Sequence, residues 1–162
     1  MEYNRTALDS KFLNETFEGP SLIGGFDNEW MGRDRYDFFG EVTVDPLDST
    51  NHVYHPTPAN GYARFFSPLA TKFKETVVKF KYYGVGNNAG GCIGYSNTDT
   101  LNSETWMYCD YPNYAQNYMT SNSQWISCQF VVPQNINQFR IVLGDRVGNG
   151  DAYFDNVQVA AM

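Results

Sequence analysis

The sequence predicts an all-β, two-sheet antiparallel β-sandwich, and three observations carry that prediction. Apolar residues alternate with polar ones in short runs, Gly, Pro, Asn and Asp separate the runs, and aromatic residues make up 17% of the chain. Alternation puts successive side chains on opposite faces of a strand. Closely spaced turn residues mark strand ends, and rings suit a pleated, half-buried surface better than a helix. At 162 residues the chain has the length of one domain, and a domain of about 150 residues buries close to 70% of the surface its unfolded form exposes. A full core is therefore available without covalent staples.

Taken in order, the strand candidates begin with KFLNETF (11–17), DNEWMGR (27–33), DFFGEVTV (37–44) and NGYARFF (60–66). KETVVKFKYY (74–83) is the clearest: Val78, Phe80 and Tyr82 fall on one face and Val77, Lys79 and Lys81 on the other. The first set is the one expected to face the core. GGCIGYS (90–96) and ETWMYC (104–109) follow. QWISCQFVV (124–132) puts Ile126, Cys128, Phe130 and Val132 on one face, and NQFRIVLG (137–144) offers Phe139, Ile141 and Leu143 as its inner row. In DAYFDNVQV (151–159) the same rule aligns Tyr153, Asp155, Val157 and Val159 on one side. About eight to ten strands are expected, enough for two packed sheets. No linker or repeat divides the chain. Residues 1–11 read as a polar N-terminal arm and residues 12–162 as a single sandwich domain. The longest irregular stretch, residues 109–123, is rich in Tyr and Asn and reads as an extended loop, the kind that carries recognition on a rigid scaffold.

The three cysteines, Cys92, Cys109 and Cys128, are an odd number without C-x-x-C spacing. At least one thiol stays unpaired within a monomer, a disulfide framework is not expected, and buried apolar thiols are the favoured reading. The formal net charge of −7, with only 11 scattered basic residues, argues against nucleic acid, whose binding needs clustered Lys and Arg. No stretch approaches the roughly 20 apolar residues of a membrane span, so no membrane partner is expected. The start of the sequence lacks the apolar region of a secretory signal. If Met1 is native, export by the usual route is not expected.

Catalysis finds no support in the motifs. There is no G-x-S-x-G, H-E-x-x-H or phosphate-binding loop, and no G-x-G-x-x-G opening a helix. Most acids sit in turn contexts such as VDPLDS, where a turn-forming Asp is the ordinary reading. His52 and His55, three residues apart, fall on opposite faces of a strand and do not share a metal. The chain is therefore expected not to be an enzyme. What it does have is a concentration of rings in ETWMYCDYPNYAQNYM. Trp106, Tyr108, Tyr111, Tyr114 and Tyr118, followed by Trp125 on an outward-reading face, are the candidate ligand- or interface-binding residues. Flat ring faces with Asn and Gln nearby suit sugars, and the same rings suit a protein interface or the core.

Two ends of the sequence carry a family resemblance. NETFEGPSLIGGFDNEW, with Asn14, Phe17, Glu18, Gly19 and Trp30, resembles the opening strand of the carbohydrate-binding modules with a β-jelly-roll fold, and GNGDAYFDNVQV resembles their closing strand. The resemblance implies a jelly-roll sandwich. It also implies a structural calcium ion tying the terminal strands, to which the matching residues Glu18 and Asp155 would contribute as hard oxygen donors; the alternative for Asp155 is a carboxylate satisfied by neighbouring amides. The same fold serves sugar binding, adhesion and capsid building. Two non-catalytic functions follow. The first is a virion structural component, such as a phage capsid decoration or fibre protein, whose partners are other virion subunits or itself. The alternative is a carbohydrate-binding module of a secreted polysaccharide-degrading enzyme, extracellular and with glycans as partners.

Overall fold

The computed structural model describes residues 13–21, 24–32, 40–56, 62–71, 75–97, 104–146 and 151–161, so the arm at 1–11 lies outside the described residues. Its strands are β1 (Asn14–Glu15), β2 (Gly40–Asp45), β3 (Asp48–Pro56), β4 (Tyr62–Phe66), β5 (Ala70–Thr71), β6 (Thr76–Gly84), β7 (Gly91–Ser96), β8 (Thr105–Cys109), β9 (Asn117–Tyr118), β10 (Ile126–Val131), β11 (Gln138–Arg146) and β12 (Ala152–Ala161). No helix occurs among the described residues.

The first sheet runs β10-β6-β12-β3-β2 with β1 added on β12, and the second runs β4-β11-β7-β8-β9 with β5 added on β11. The chain passes back and forth between them, so that β3, β6, β10 and β12 interleave in sequence with β4, β7, β8 and β11. That is the strand order of a jelly roll. Pairing is antiparallel except between β8 and β9. Between the sheets lies one apolar core that includes Val78, Phe80, Phe130, Phe139, Ile141 and Val157, with Ile126 and Cys128 packed against it half-buried. The alternation read in β6, β10 and β11 thus places the expected residues inward.

Three expectations are corrected. Tyr153 and Asp155 do not share a face with Val157 and Val159. The register against β6 shifts between Asp155 and Gln158, and Asn156 adopts a left-handed φ of 49°. A bulge adds one residue and reverses the alternation beyond it. Val157 and Val159 therefore enter the core beside Phe154, while Asp155 pairs with Lys81 on the opposite face. Cys92 and Cys109 are not free thiols: they sit opposite each other on β7 and β8 and form a disulfide, leaving Cys128 as the free cysteine. Finally β3 takes up DSTNHVYHP, whose polar first half hides it among turn residues.

The opening strand is held by a residue the motif reading passed over. Glu15, fully buried, accepts hydrogen bonds from Trp30 Nε1 at 2.8 Å, Asp27 N at 2.6 Å, and Phe17 N and Asn28 N at 3.0 Å each. Burial pushes its carboxyl up, and the bonds from Asp27, Asn28, Phe17 and Trp30 oppose that shift.

Candidate functional site

β8 places its rings through a second bulge. Ile93 pairs with Tyr108, but Gly94 pairs with Trp106. Tyr108 therefore turns inward, meeting Phe80 edge-on at 5.7 Å, whereas Trp106 stands on the outer face across from Gly94. Only glycine fits there, because a Cβ would run into the Thr105 carbonyl. The chain then turns back and returns as β9. Gln116 N donates to the Trp106 carbonyl at 3.1 Å, Met119 N to the Cys109 carbonyl at 3.0 Å, and the Asn117 side-chain amide to the Met107 carbonyl at 3.0 Å. The Tyr-rich stretch is thus tied to β8 and the disulfide rather than hanging free.

This return brings Tyr114 to 6.3 Å from Trp106, the ring planes 31° apart. Tyr118 is 51% exposed and donates its hydroxyl to Asn88 Oδ1 at 2.9 Å. On the same outer face Arg64 and Glu104 form an ion pair of 3.1 Å, with side chains only 10% and 13% exposed. A pair so enclosed is held fixed by its low-dielectric surroundings. Chemically, the Trp106–Tyr114 pair offers a ring face for apolar C–H surface, and the exposed Gln116 and Asn117 of the returning chain offer amide groups.

The six rings named from the sequence do not form one cluster. Trp106 and Tyr114 come together, Tyr118 stands near them at the sheet edge, and Tyr111 lies half-buried in the turn. Tyr108 belongs to the core boundary, so its expected binding role is not supported by its placement. Trp125 belongs to the other sheet. There it begins a single row across the outer face: it packs on Tyr83 at 5.5 Å, Tyr83 on Tyr153 at 5.8 Å, and Tyr153 stacks on His55 at 4.7 Å and 19°. His55 is in turn beside Glu41, and its Nε2 lies 3.2 Å from Asp151 Oδ1. His52, three residues before it, engages Glu18 instead. The row escaped sequence reading because its members come from three strands and from the residue just before β10; the alternation of Lys79, Lys81 and Tyr83 on one face of β6 was the available signal.

Glu18 and Asp155, the candidate metal ligands, have different neighbours. Glu18 accepts from His52 N at 2.7 Å and contacts His52 Nδ1 at 2.8 Å, and these bonds hold its carboxyl below the usual range. Asp155, 4% exposed, accepts from Asn51 Nδ2 at 2.8 Å and from Asn156 N at 2.8 Å. The same Asn51 amide reaches Asp45 Oδ2 at 3.1 Å, and Trp125 Nε1 donates to Asp45 Oδ1 at 3.0 Å. Burial pushes Asp155 up; the bonds from Asn51 and Asn156 oppose this, and the charges of Asp45 and Glu18 add to it. The donor chemistry suits a hard cation. Among the described residues, however, no group of three or more His, Cys, Asp or Glu lies close enough to hold a metal ion. A bound ion would have to take the place of the Asn51 amide between the two aspartates.

No protein-family model matches the chain, and no curated protein sequence does. Solved structures do match its fold. It is similar to the K1 cleaved adhesin domain of Lys-gingipain from Porphyromonas gingivalis W83 (TM-score 0.63, 11% identity, 93% of this chain and 98% of that one). The K2 cleaved adhesin domain of Lys-gingipain matches with a TM-score of 0.57 and 16% identity over the same 93% and 98%. The CBM22-1 xylan-binding domain of Paenibacillus barcinonensis Xyn10C matches with a TM-score of 0.50 and 13% identity over 92% of each chain. At these identities the likeness is one of fold, a jelly-roll sandwich of the kind seen in adhesin and carbohydrate-binding domains.

Proposed function

We propose that this domain is a non-catalytic, extracellular glycan-binding module that binds its ligand on the outer face of the second sheet, at Trp106 and Tyr114. The observation that carries the reading is the Trp106–Tyr114 ring pair, held by the return of the chain along β8, with Gln116 and Asn117 exposed on that return. A sugar ring presents apolar C–H groups on its faces and hydroxyls at its edge. The negative face of an aromatic ring attracts the first, and amide groups bond the second. The folds it resembles include an adhesin domain and a xylan-binding domain, which supports this class. The glycan reading is preferred to the virion reading because the folds that match over nine tenths of the chain are adhesin and xylan-binding domains. Calcium belongs to the same proposal: Glu18 and Asp155 would hold it, the Asn51 amide giving way to the ion.

Affinity electrophoresis through gels containing xylan and a panel of other neutral polysaccharides tests the site. The wild type is expected to be retarded by at least one of them. Trp106→Ala is expected to weaken retention about tenfold or more, the range of a central aromatic anchor, while far-UV and near-UV spectra show the fold intact. Migration unaffected by every polysaccharide, or equal retention of wild type and variant, rejects the assignment.

A further inference from the structure

On the opposite side of the molecule, the outer face of the first sheet carries a depression of about 470 Å³ lined by Lys79, Lys81, Ser127, Gln129, Asn156 and Gln158 together with the backbone of Phe80 and Cys128. Its volume lies within the range of small-molecule sites, about 300–1,000 Å³. The register explains the lining. Lys79 stands between Gln129 of β10 and Gln158 of β12, and Lys81 between Ser127 and Asp155. The two lysines thus form the central line of a small grid, flanked by the neutral Ser127, Gln129 and Gln158 and, beside Lys81, by Asp155.

Two features set this grid apart from an ordinary solvated face. Neither lysine has an ion-pair or hydrogen-bond partner among the described residues. The acid paired with Lys81, Asp155, has its carboxylate taken by Asn51 and the Asn156 amide. Neither ammonium is therefore tied up in an ion pair of its own, in a chain whose net charge is −7. The second feature is the bulge. Asn156 is the left-handed residue that breaks the β12 register, a conformation Asn tolerates better than most residues, and its side chain is one of the walls. Bulges recur where a strand must re-aim a side chain towards a site.

We propose that this groove is a second ligand site, independent of the Trp106 surface, and that it takes a carboxylate-bearing sugar such as a uronate residue of an acidic polysaccharide. Lys79 and Lys81 bind the carboxylate, and the amides of Gln129, Gln158 and Asn156 with the Ser127 hydroxyl bond the ring hydroxyls. A simple inorganic anion would use the lysines and leave the neutral flanks idle, which separates the two possibilities experimentally.

The test is affinity electrophoresis in gels containing polygalacturonate, with neutral xylan and free sodium sulfate as the other arms, at low and at physiological salt. Wild type is expected to be retarded by polygalacturonate, less so as salt screens the lysines. K79Q/K81Q is expected to lose at least tenfold in retention. N156G, which keeps the left-handed backbone without strain but removes the amide, is expected to lose several-fold with an unchanged or higher melting temperature. W106A is expected to keep polygalacturonate binding, so failure of the neutral-glycan site leaves this result standing. The proposal is overturned if wild type ignores polygalacturonate, if K79Q/K81Q is retarded like wild type, or if sulfate at equal charge displaces the protein as well as oligogalacturonate does.

Discussion

Asp145 is the group through which pH should act on stability. It is the last inward-facing residue of β11 described, in register with Gly91, and on the other side of Gly91 Asp110 N donates to the Gly91 carbonyl at 2.8 Å. One cross-strand row therefore points two carboxylates into the space between the sheets with a glycine between them. Asp110 is fully buried and Asp145 only 4% exposed. Tyr82 of the opposite sheet donates its hydroxyl to Asp110 Oδ2 at 2.7 Å, but Oδ1 of both aspartates has no partner among the described residues. Burial, then the charges of Asp151 and Asp110, push the Asp145 carboxyl up to about 8. Tyr54 and Tyr82 are raised in turn by burial and by these acids.

A carboxyl raised on folding stabilises the native state fully below its unfolded value, near 3.8, and that contribution is lost as pH rises towards 8. The slope is about 1.4 kcal/mol per pH unit. From pH 5 to 8 the loss is on the order of 4 kcal/mol, roughly 10 °C in Tm for a domain of this size. Asp145→Asn removes this titration, so its Tm should fall less than that of the wild type across the interval and exceed it most at pH 8. Calorimetric or fluorescence melts of both proteins at half-unit steps decide it. Parallel curves for the two proteins would refute the reasoning.

Three further expectations follow from individual contacts. The Cys92–Cys109 disulfide spans 17 residues, and a closed loop of that order is worth about 3 kcal/mol. Reduction, or the double change to Ser, should lower the denaturation midpoint accordingly without altering the far-UV spectrum. Glu15→Ala leaves buried donors of Phe17 and Trp30 unpaired, at about 1–3 kcal/mol each, so urea melts should show a loss of roughly 2–6 kcal/mol; a loss below 1 kcal/mol would show water replacing the carboxylate. If calcium is bound at Glu18 and Asp155, chelation lowers the wild-type Tm and leaves Asp155→Ala unmoved, and elemental analysis finds the metal. Identical wild-type melts with and without chelator reject it.

Where a strand follows one unbroken alternation against a single core, its sequence reports its placement. β6, β10 and β11 do so, and their Val78, Phe80, Phe130, Phe139 and Ile141 lie where the pattern puts them. Features that depend on an extra residue or on a distant strand are not written in local order. Asn156 reverses the faces of β12 with one left-handed residue, and the Met107 bulge separates Tyr108 from Trp106. The Cys92–Cys109 bond needs the β7–β8 register, which spacing alone does not supply. Of the ring cluster, composition revealed that rings were abundant, but only the return of the chain along β8 pairs Trp106 with Tyr114. β3 stayed hidden because residues 48–51 are polar and serve the Asp45–Asn51–Asp155 contacts instead of the core.

The pairing of β1 with β12 has a mechanical consequence. Asn14 lies opposite Gln158, and Val159 N bonds to the Leu13 carbonyl at 3.0 Å, so the two ends of the described chain leave the sheet side by side. Tension applied between them loads these bonds one after another, as in opening a zip, and never all together as in shear. Each bond resists with only its own modest strength. A domain tethered at both ends would yield first by peeling β1, and that step withdraws Glu15 from Trp30 while the β6–β12 pairing is still whole.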